Sequence, residues 1–130
     1  MDYEINPDAV VTIKPPEDNK PPLIPIVITG VERAIKNSSD FTRITCFELS
    51  NIVVSGAVDV QDYAFSMPLR RDDGRLILFP VQVTNGEFKA VLNFPTSGQY
   101  SYTDEQANHD LPFPMFTVDH IKIDVLRKPL

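Results

Sequence analysis

Proline is the feature that most constrains how this chain can fold. The 130 residues include 12 prolines, roughly twice the average frequency of about 5%. A proline ring removes a backbone donor and clashes with the preceding turn, which costs about 3 kcal/mol inside a helix. The sequence therefore excludes long helices from most of the chain and favours turns, extended segments and short strands.

The first 22 residues differ in composition from the rest of the chain. Pro7, Pro15-Pro16 and Pro21-Pro22 all fall here, and proline at this density favours an extended, polyproline-like segment. We therefore predict that residues 1–22 form an extended proline-rich arm, called here the N-terminal arm. It contains one β-prone run, the arm segment, which consists of Ala9, Val10, Val11, Thr12 and Ile13. Five residues do not form a sheet alone, so we expect this segment to pair with the sheet edge of a neighbouring subunit; the alternative is an extra strand on its own domain.

Residues 23–130 consist of short strand-like runs separated by turns, which predicts a second unit of β-sandwich type. Asn85-Gly86 tolerates the positive φ angles of a type I′ turn and indicates a hairpin. In the strand after it, four apolar residues alternate with polar ones, which is typical of a half-buried strand: Phe88, Ala90, Leu92 and Phe94.

Proline and glycine also predict local irregularities in this unit. Pro25 lies inside the apolar run at residues 23–29, which indicates an edge strand or the start of one. Ser55-Gly56 interrupts the run at residues 52–60, which indicates a bulge or a bend. Residues 31–40 fit an irregular or helix-like connection.

The succession of short strands and turns indicates a β-sandwich or a barrel. Gly98 and Tyr100 lie between two strands, where immunoglobulin-like sandwiches place a tyrosine whose hydroxyl bonds back to the preceding corner. The run 88–102, closed by the strand at 119–126, resembles the last three strands of immunoglobulin-like domains found in phage particles and bacterial surface proteins.

This resemblance covers residues 23–127 and implies an all-β, immunoglobulin-like antiparallel β-sandwich, with Gly98 and Tyr100 as its structural corner. The paired cysteines and core tryptophan of antibody domains are absent, since the chain has one cysteine and no tryptophan. The subtype and the number of strands therefore stay open, and a jelly roll or another sandwich is the alternative.

The residues able to carry chemistry form no catalytic, cofactor or metal motif. The loop from Asp104 to Asp110, which includes His109, does not have the spacing of a calcium loop. His120 follows Asp119 at a strand end, where a surface pair is the simpler interpretation. Cys46 lies in a strand-like run and is expected to be buried and unreactive. We therefore expect a non-enzymatic protein without a cofactor.

Charge and hydropathy limit the partners. The net charge is −6, which disfavours nucleic acid because that affinity depends on lysine and arginine. No apolar run approaches the roughly 20 residues of a membrane span. The N-terminus lacks the pattern of a secretory signal, so we expect synthesis in the cytoplasm and no membrane partner.

Two groups of apolar side chains are candidate contact surfaces. Prolines prevent regular strand pairing near residue 112, so the apolar residues there form either a contact patch or a capped core edge: Leu111, Phe113, Met115 and Phe116. Three tyrosines are candidates for sugar stacking, although the alternating pattern assigns most aromatic residues to the core: Tyr63, Tyr100 and Tyr102.

These features together predict a structural or assembly protein that docks through its N-terminal arm. Its partners would be copies of itself or neighbouring structural proteins, and the resemblance implies an accessory, decoration or connector component of a phage virion. The alternative is a carbohydrate- or ligand-binding β-sandwich that acts through its end loops.

Overall fold

The computed structural model describes residues 22–129, which form an all-β domain with one short helix. The arm segment and the rest of residues 1–21 lie outside this range. The elements are β1 Ile24–Glu32, β2 Lys36–Asn37, β3 Arg43–Phe47, β4 Asn51–Val58, β5 Tyr63–Arg71, β6 Leu76–Thr84, β7 Glu87–Asn93, β8 Gly98–Tyr102, α1 Asp104–Ala107, β9 Phe116–Val118 and β10 Ile121–Leu126.

The ten strands form one curled mixed sheet, in the order β2-β3-β10-β8-β5-β6-β7-β4-β1-β9. Two ladders are parallel, β1 with β9 and β10 with β3, so the prediction of a wholly antiparallel arrangement is wrong for these pairs. Parallel neighbours need a long connection. The residues between β3 and β10 in the chain make up most of the domain, and they form the long connection between these two parallel strands.

The sheet is narrow at two joints. β5 pairs with β8 only through Arg70 and Arg71, and β6 pairs with β7 only through Val83 and Thr84. Between these joints, β5 and β6 pair with each other over residues 63–70 and 76–83. The two strands therefore form a two-stranded ribbon, called here the β5–β6 ribbon, which links the two larger parts of the sheet.

The curl closes both larger parts of the sheet over a single core. Ile28 and Leu92 from one part line the same small interior space as Ile44 and Ile123 from the other. The largest fully buried side chains are aromatic, Tyr100, Tyr102 and Phe94. Burial of each large apolar side chain contributes about 1.5–3 kcal/mol, and these contacts hold the two parts together.

The predicted hairpin is confirmed. Asn85 has φ 55° and Gly86 has φ 76°, as a type I′ turn requires. In β7 and just after it, Phe88, Ala90, Leu92 and Phe94 are buried while the residues between them are exposed. The hairpin could be predicted because both of its signals are local in the chain, the Asn-Gly turn and the alternation of apolar and polar residues in β7.

Two of the predicted irregularities are corrected in part. Pro25 is the second residue of β1, so it lies at the start of a strand, and the irregularity near Gly56 lies on the neighbouring strand. β1 is not an edge strand, because β9 pairs beside it and places Thr117 opposite Pro25. β4 is continuous, and the register shift lies in β1, between Ile28 and Gly30. Gly56 allows the Phe88 ring to pack closely against the backbone of β4, since a Cβ there would lie 2.3 Å from that ring.

The expected connection at residues 31–40 is partly strand, because β1 extends to Glu32 and β2 follows.

Candidate binding groove beside strand β5

A groove of about 480 Å³ lies between the first half of β5 and the segment at residues 106–111. We call it the β5 groove. Its walls are mainly apolar and include Tyr63, Phe65, Pro68, Leu111 and Phe116, with Gln106 as a polar member. Volumes of about 300–1,000 Å³ with few polar groups are typical of ligand sites.

One side of the groove is an open strand edge. Within residues 22–129, no strand pairs with β5 on this side from Tyr63 to Leu69. Pro68 and Pro80 have no N–H, so they occupy ladder positions whose nitrogen points away from the partner strand. Backbone direction alternates along a strand. Ala64 and Ser66 lie four and two residues before Pro68, so their backbone has the same orientation as at Pro68. They therefore direct their N–H and C=O groups away from β6 and towards the groove.

The opposite wall is fixed by side-chain hydrogen bonds to the backbone. Asn108 Oδ1 accepts from the N–H groups of Met115 and Phe116, both at 2.9 Å. Asn108 Nδ2 donates to Phe116 O at 2.9 Å and to Asp104 O at 2.8 Å. Asp104 Oδ1 accepts from Val118 N–H at 2.7 Å. These bonds attach α1 to β9 and hold the wall at a set distance from β5.

Gln106 is the buried polar residue of the groove, with 5% of its surface exposed. Its Oε1 accepts from Thr103 N–H at 2.9 Å and from Thr103 Oγ1 at 2.6 Å. Its Nε2 has no hydrogen-bond partner in the described part of the chain. A buried donor without an acceptor costs about 1–3 kcal/mol, so Nε2 is suited to donate to a carbonyl that enters the groove.

Aromatic side chains form the mouth of the groove. The rings of Tyr63 and Phe65 stack with centroids 5.5 Å apart, and Phe65 makes an edge contact with Phe88. Tyr63 is partly exposed, and partial burial raises the pKa of its hydroxyl. Tyr100 and Tyr102 are buried, and burial likewise raises the pKa of Tyr102. Of the three tyrosines considered for sugar stacking, only Tyr63 is on the surface.

The residues of the predicted contact patch are divided by the structure. Phe116 is buried in β9, and Leu111 is half-buried against the groove. Phe113 and Met115 are exposed, with 59% and 37% of their surfaces accessible. The patch is therefore partly core edge and partly surface, and Leu111 and Phe116 connect it to the β5 groove.

Gly98 and Tyr100 lie together at the start of β8. The Tyr100 hydroxyl donates to Thr96 O at 2.9 Å. Gly98 has φ 144°, and a Cβ there would lie 2.7 Å from Arg71 Nε. Arg71 donates from Nε and Nη2 to Ser97 O, at 3.1 and 2.6 Å. This corner therefore needs a glycine and is held by two side chains.

The residues weighed for chemistry do not converge. His109 and Asp110 are exposed, and their Nε2 and Oδ1 atoms lie 3.8 Å apart. Across residues 22–129, no group of three or more His, Cys, Asp and Glu side chains is placed to hold a metal ion. Asp104 and Asn108, two oxygen-bearing residues of the loop without calcium-loop spacing, are bonded to the backbone of β9 and of the residue before it.

The open edge of β5 and the role of Gln106 were missed by sequence reasoning. A signal for the edge was present in Pro68 and Pro80. Two prolines inside strand-like runs indicate strands that lack a partner on one side. Gln106 has the Thr-x-x-Gln spacing of a capping box with Thr103, which signals a helix start, but its burial depends on how α1 packs against β5.

Comparison with protein-family models, with curated proteins and with solved structures finds no significant match to this chain. The helix in residues 22–129 is too short to span a membrane. The function therefore has to be argued from the geometry of the domain.

Proposed function

We propose that this protein is a non-enzymatic assembly subunit with an immunoglobulin-like fold, and that it docks onto a neighbouring protein through its N-terminal arm. The observation that carries the proposal is the open edge of β5 with its apolar walls. An arm with a β-prone segment requires an acceptor of this kind, because extended peptides bind by adding a strand to an exposed sheet edge.

The order of the strands supports the immunoglobulin-like part of the proposal. Immunoglobulin-like sandwiches place strands A, B, E and D in one sheet and C, F and G in the other. Taking β1, β4, β5, β6, β7, β8 and β10 as A to G, the neighbours β1-β4-β7-β6 and β5-β8-β10 follow these two orders. Tyr100 then lies at the start of strand F, where the tyrosine corner belongs. The domain differs in its long β5–β6 pairing, which joins the two sheets into one.

The biological setting that we propose is a phage particle, with the protein as an accessory, decoration or connector component. It rests on the resemblance of residues 23–127 to domains of phage particles and bacterial surface proteins, which is an argument from fold type. The partners would be copies of the chain or neighbouring structural proteins, without nucleic acid or membrane. The protein would be made in the cytoplasm and end in the virion.

Sedimentation velocity of three proteins tests the assembly role. The first is the full chain, the second lacks residues 1–22, and the third keeps its length but has residues 9–13 replaced by alternating glycine and serine. We expect the full chain to form concentration-dependent oligomers and both variants to remain monomers with unchanged circular dichroism. Equal assembly of all three proteins would contradict the proposal.

One observation favours a second candidate, a ligand-binding module. The stacked Tyr63 and Phe65 rings at the mouth of the groove offer an aromatic surface on which a sugar could pack. Titration against a panel of glycans, with Tyr63→Ala as the comparison, would separate this function from assembly. Saturable binding that the substitution abolishes would favour the ligand-binding module.

A further inference from the structure

We propose that the β5 groove is the docking site for the arm segment, Ala9–Ile13, of a second copy of this chain. The inference rests on the proposed assembly function and adds the location and the partner. The incoming segment would extend the sheet as a strand beside β5.

The length of the open edge matches the length of the segment. On its unpaired side, β5 presents the N–H and C=O groups of Ala64 and Ser66. The edge ends at Pro68, which has no N–H to donate. The usable edge therefore runs from Tyr63 to Met67. It contains five residues, the number in the arm segment.

The side-chain pattern of the segment also fits the groove. Successive side chains of a strand point to opposite faces. Ala9, Val11 and Ile13 would therefore share one face, and this face is wholly apolar. Phe65, Leu111 and Phe116 provide an apolar wall for it. Val10 and Thr12 would lie on the other face.

Gln106 provides a polar contact at the same place. Gln106 is buried, with 5% of its surface exposed. Its Nε2 has no hydrogen-bond partner within residues 22–129. A strand that lies beside β5 presents main-chain carbonyls towards both of its neighbours. One of these carbonyls can accept a hydrogen bond from Gln106 Nε2.

The point at which the arm leaves the domain favours exchange between two copies. Ile24 N–H donates to Met115 O at 2.9 Å, and the neighbouring Phe116 lines the groove. The arm therefore starts beside the groove of its own domain. Eight residues lie between Ile13 and Pro22, so the nine steps from one to the other span at most about 30 Å. To return to the groove of its own domain, the arm would have to reverse its direction. The proline pairs at residues 15–16 and 21–22 favour an extended chain instead. Reciprocal exchange then gives a closed two-fold dimer.

The first test changes one backbone group on each edge of the β5–β6 ribbon, in the full chain. Ser66→Pro removes an N–H that faces the groove, at a ladder position like that of Pro68. Leu78→Pro is the matched control, since Leu78 lies opposite Pro68 and directs its N–H away from the groove. We expect Ser66→Pro to weaken dimerisation at least about tenfold, because a hydrogen bond is lost and the ring clashes with the incoming strand. Leu78→Pro should leave dimerisation unchanged.

The outcomes of this test separate the location from the proposed function. If removal of the arm abolishes assembly while Ser66→Pro leaves it intact, the assembly role stands and the groove is the wrong site. If Leu78→Pro weakens dimerisation as much as Ser66→Pro, the ribbon as a whole is responsible and the location is again wrong.

The second test identifies the copy that supplies the segment. Full-length Thr12→Cys and Ser66→Cys proteins are mixed and oxidised, and the products are resolved by mass under non-reducing conditions. We expect a disulfide between one chain of each kind, whereas Thr12→Cys mixed with Leu78→Cys should give none. Cys46 is buried and does not compete. If only the double variant Thr12→Cys/Ser66→Cys forms a bond, and within one chain, the segment occupies its own groove and the proposed exchange is overturned.

Discussion

At the residue scale, Tyr100 combines burial with a specific hydrogen bond. The side chain is fully buried, and its ring centroid lies 4.5 Å from that of Phe94. Its hydroxyl donates to Thr96 O and lies 3.1 Å from Thr96 Oγ1. The bond spans the connection between β7 and β8, so it ties the start of β8 to the preceding corner.

We expect Tyr100→Phe to lower the free energy of unfolding by about 1–2 kcal/mol, because the carbonyl of Thr96 loses its donor in a part-buried bond while the ring packing remains. Tyr63→Phe is the control, since the Tyr63 hydroxyl makes no hydrogen bond in the described chain, and it should change the stability little. Urea denaturation monitored by circular dichroism measures both. An unchanged midpoint for Tyr100→Phe would mean that the corner bond does not stabilise the domain.

Cys46 illustrates a residue whose environment was predictable. It is buried in β3, which confirms the expected burial. Desolvation raises the pKa of its thiol from 9.0 to about 11. The thiolate is the reactive form, so its fraction near neutral pH falls about a hundredfold through the pKa alone.

We therefore expect Cys46 in the native protein to react with a thiol reagent far more slowly than in the urea-unfolded protein. The reaction of the folded protein should accelerate only when the domain opens, for example near its melting temperature. With a thiol reagent that releases a coloured product, absorbance measures the labelling rates of the native and the unfolded protein. Rapid and complete labelling of the folded protein at pH 7 would contradict the assignment of Cys46 to the core.

At the scale of elements, one asparagine attaches α1 to the segment that precedes β9. Asn108 makes four hydrogen bonds to backbone groups, two as donor and two as acceptor. The sequence suggested a polar loop there, and its polar residues are used to fasten that loop. This attachment positions the wall of the β5 groove.

We expect Asn108→Ala to destabilise the domain by about 2–3 kcal/mol, since several backbone groups lose partners together. Asn93→Ala removes one exposed bond, from Asn93 Nδ2 to Asn51 Oδ1, and should cost less than about 0.5 kcal/mol. Chemical denaturation gives the stability. Amide hydrogen exchange should also show faster exchange at Met115 and Phe116 in Asn108→Ala alone. Equal losses in the two variants would contradict the attachment.

The elements that could be predicted from sequence are those determined by neighbours in the chain. The hairpin at Asn85-Gly86 depends on turn chemistry and alternation, and both are local. The position of β9 beside β1 could not be read in advance, because its three residues are defined by a partner about 90 positions away. Gly56 was read as a bulge for the same reason. Its need for glycine comes from Phe88, which lies on another strand.

At the scale of the whole molecule, the curl of the sheet creates the open edge of the β5 groove. β5 leaves β8 after two residue pairs, and the segment at residues 106–111 then lies across the groove from β5. Pro68 and Pro80 indicate that β5 lacks a partner on one side, but the place where β5 leaves β8 results from packing both parts of the sheet over one core. The all-β character, by contrast, followed from the prolines and the alternating runs.

The central claim is that residues 23–130 fold without the arm, which instead acts on a second copy. Thermal melting of the full chain and of the chain lacking residues 1–22, each over a wide range of protein concentration, tests it most directly. Binding to the native state raises the melting temperature by mass action. We predict that the melting temperature of the full chain rises with concentration, and that at high dilution it meets the constant value of the truncated chain. If the full chain instead melts above the truncated chain by the same margin at every concentration, the arm belongs to its own domain and the account is wrong.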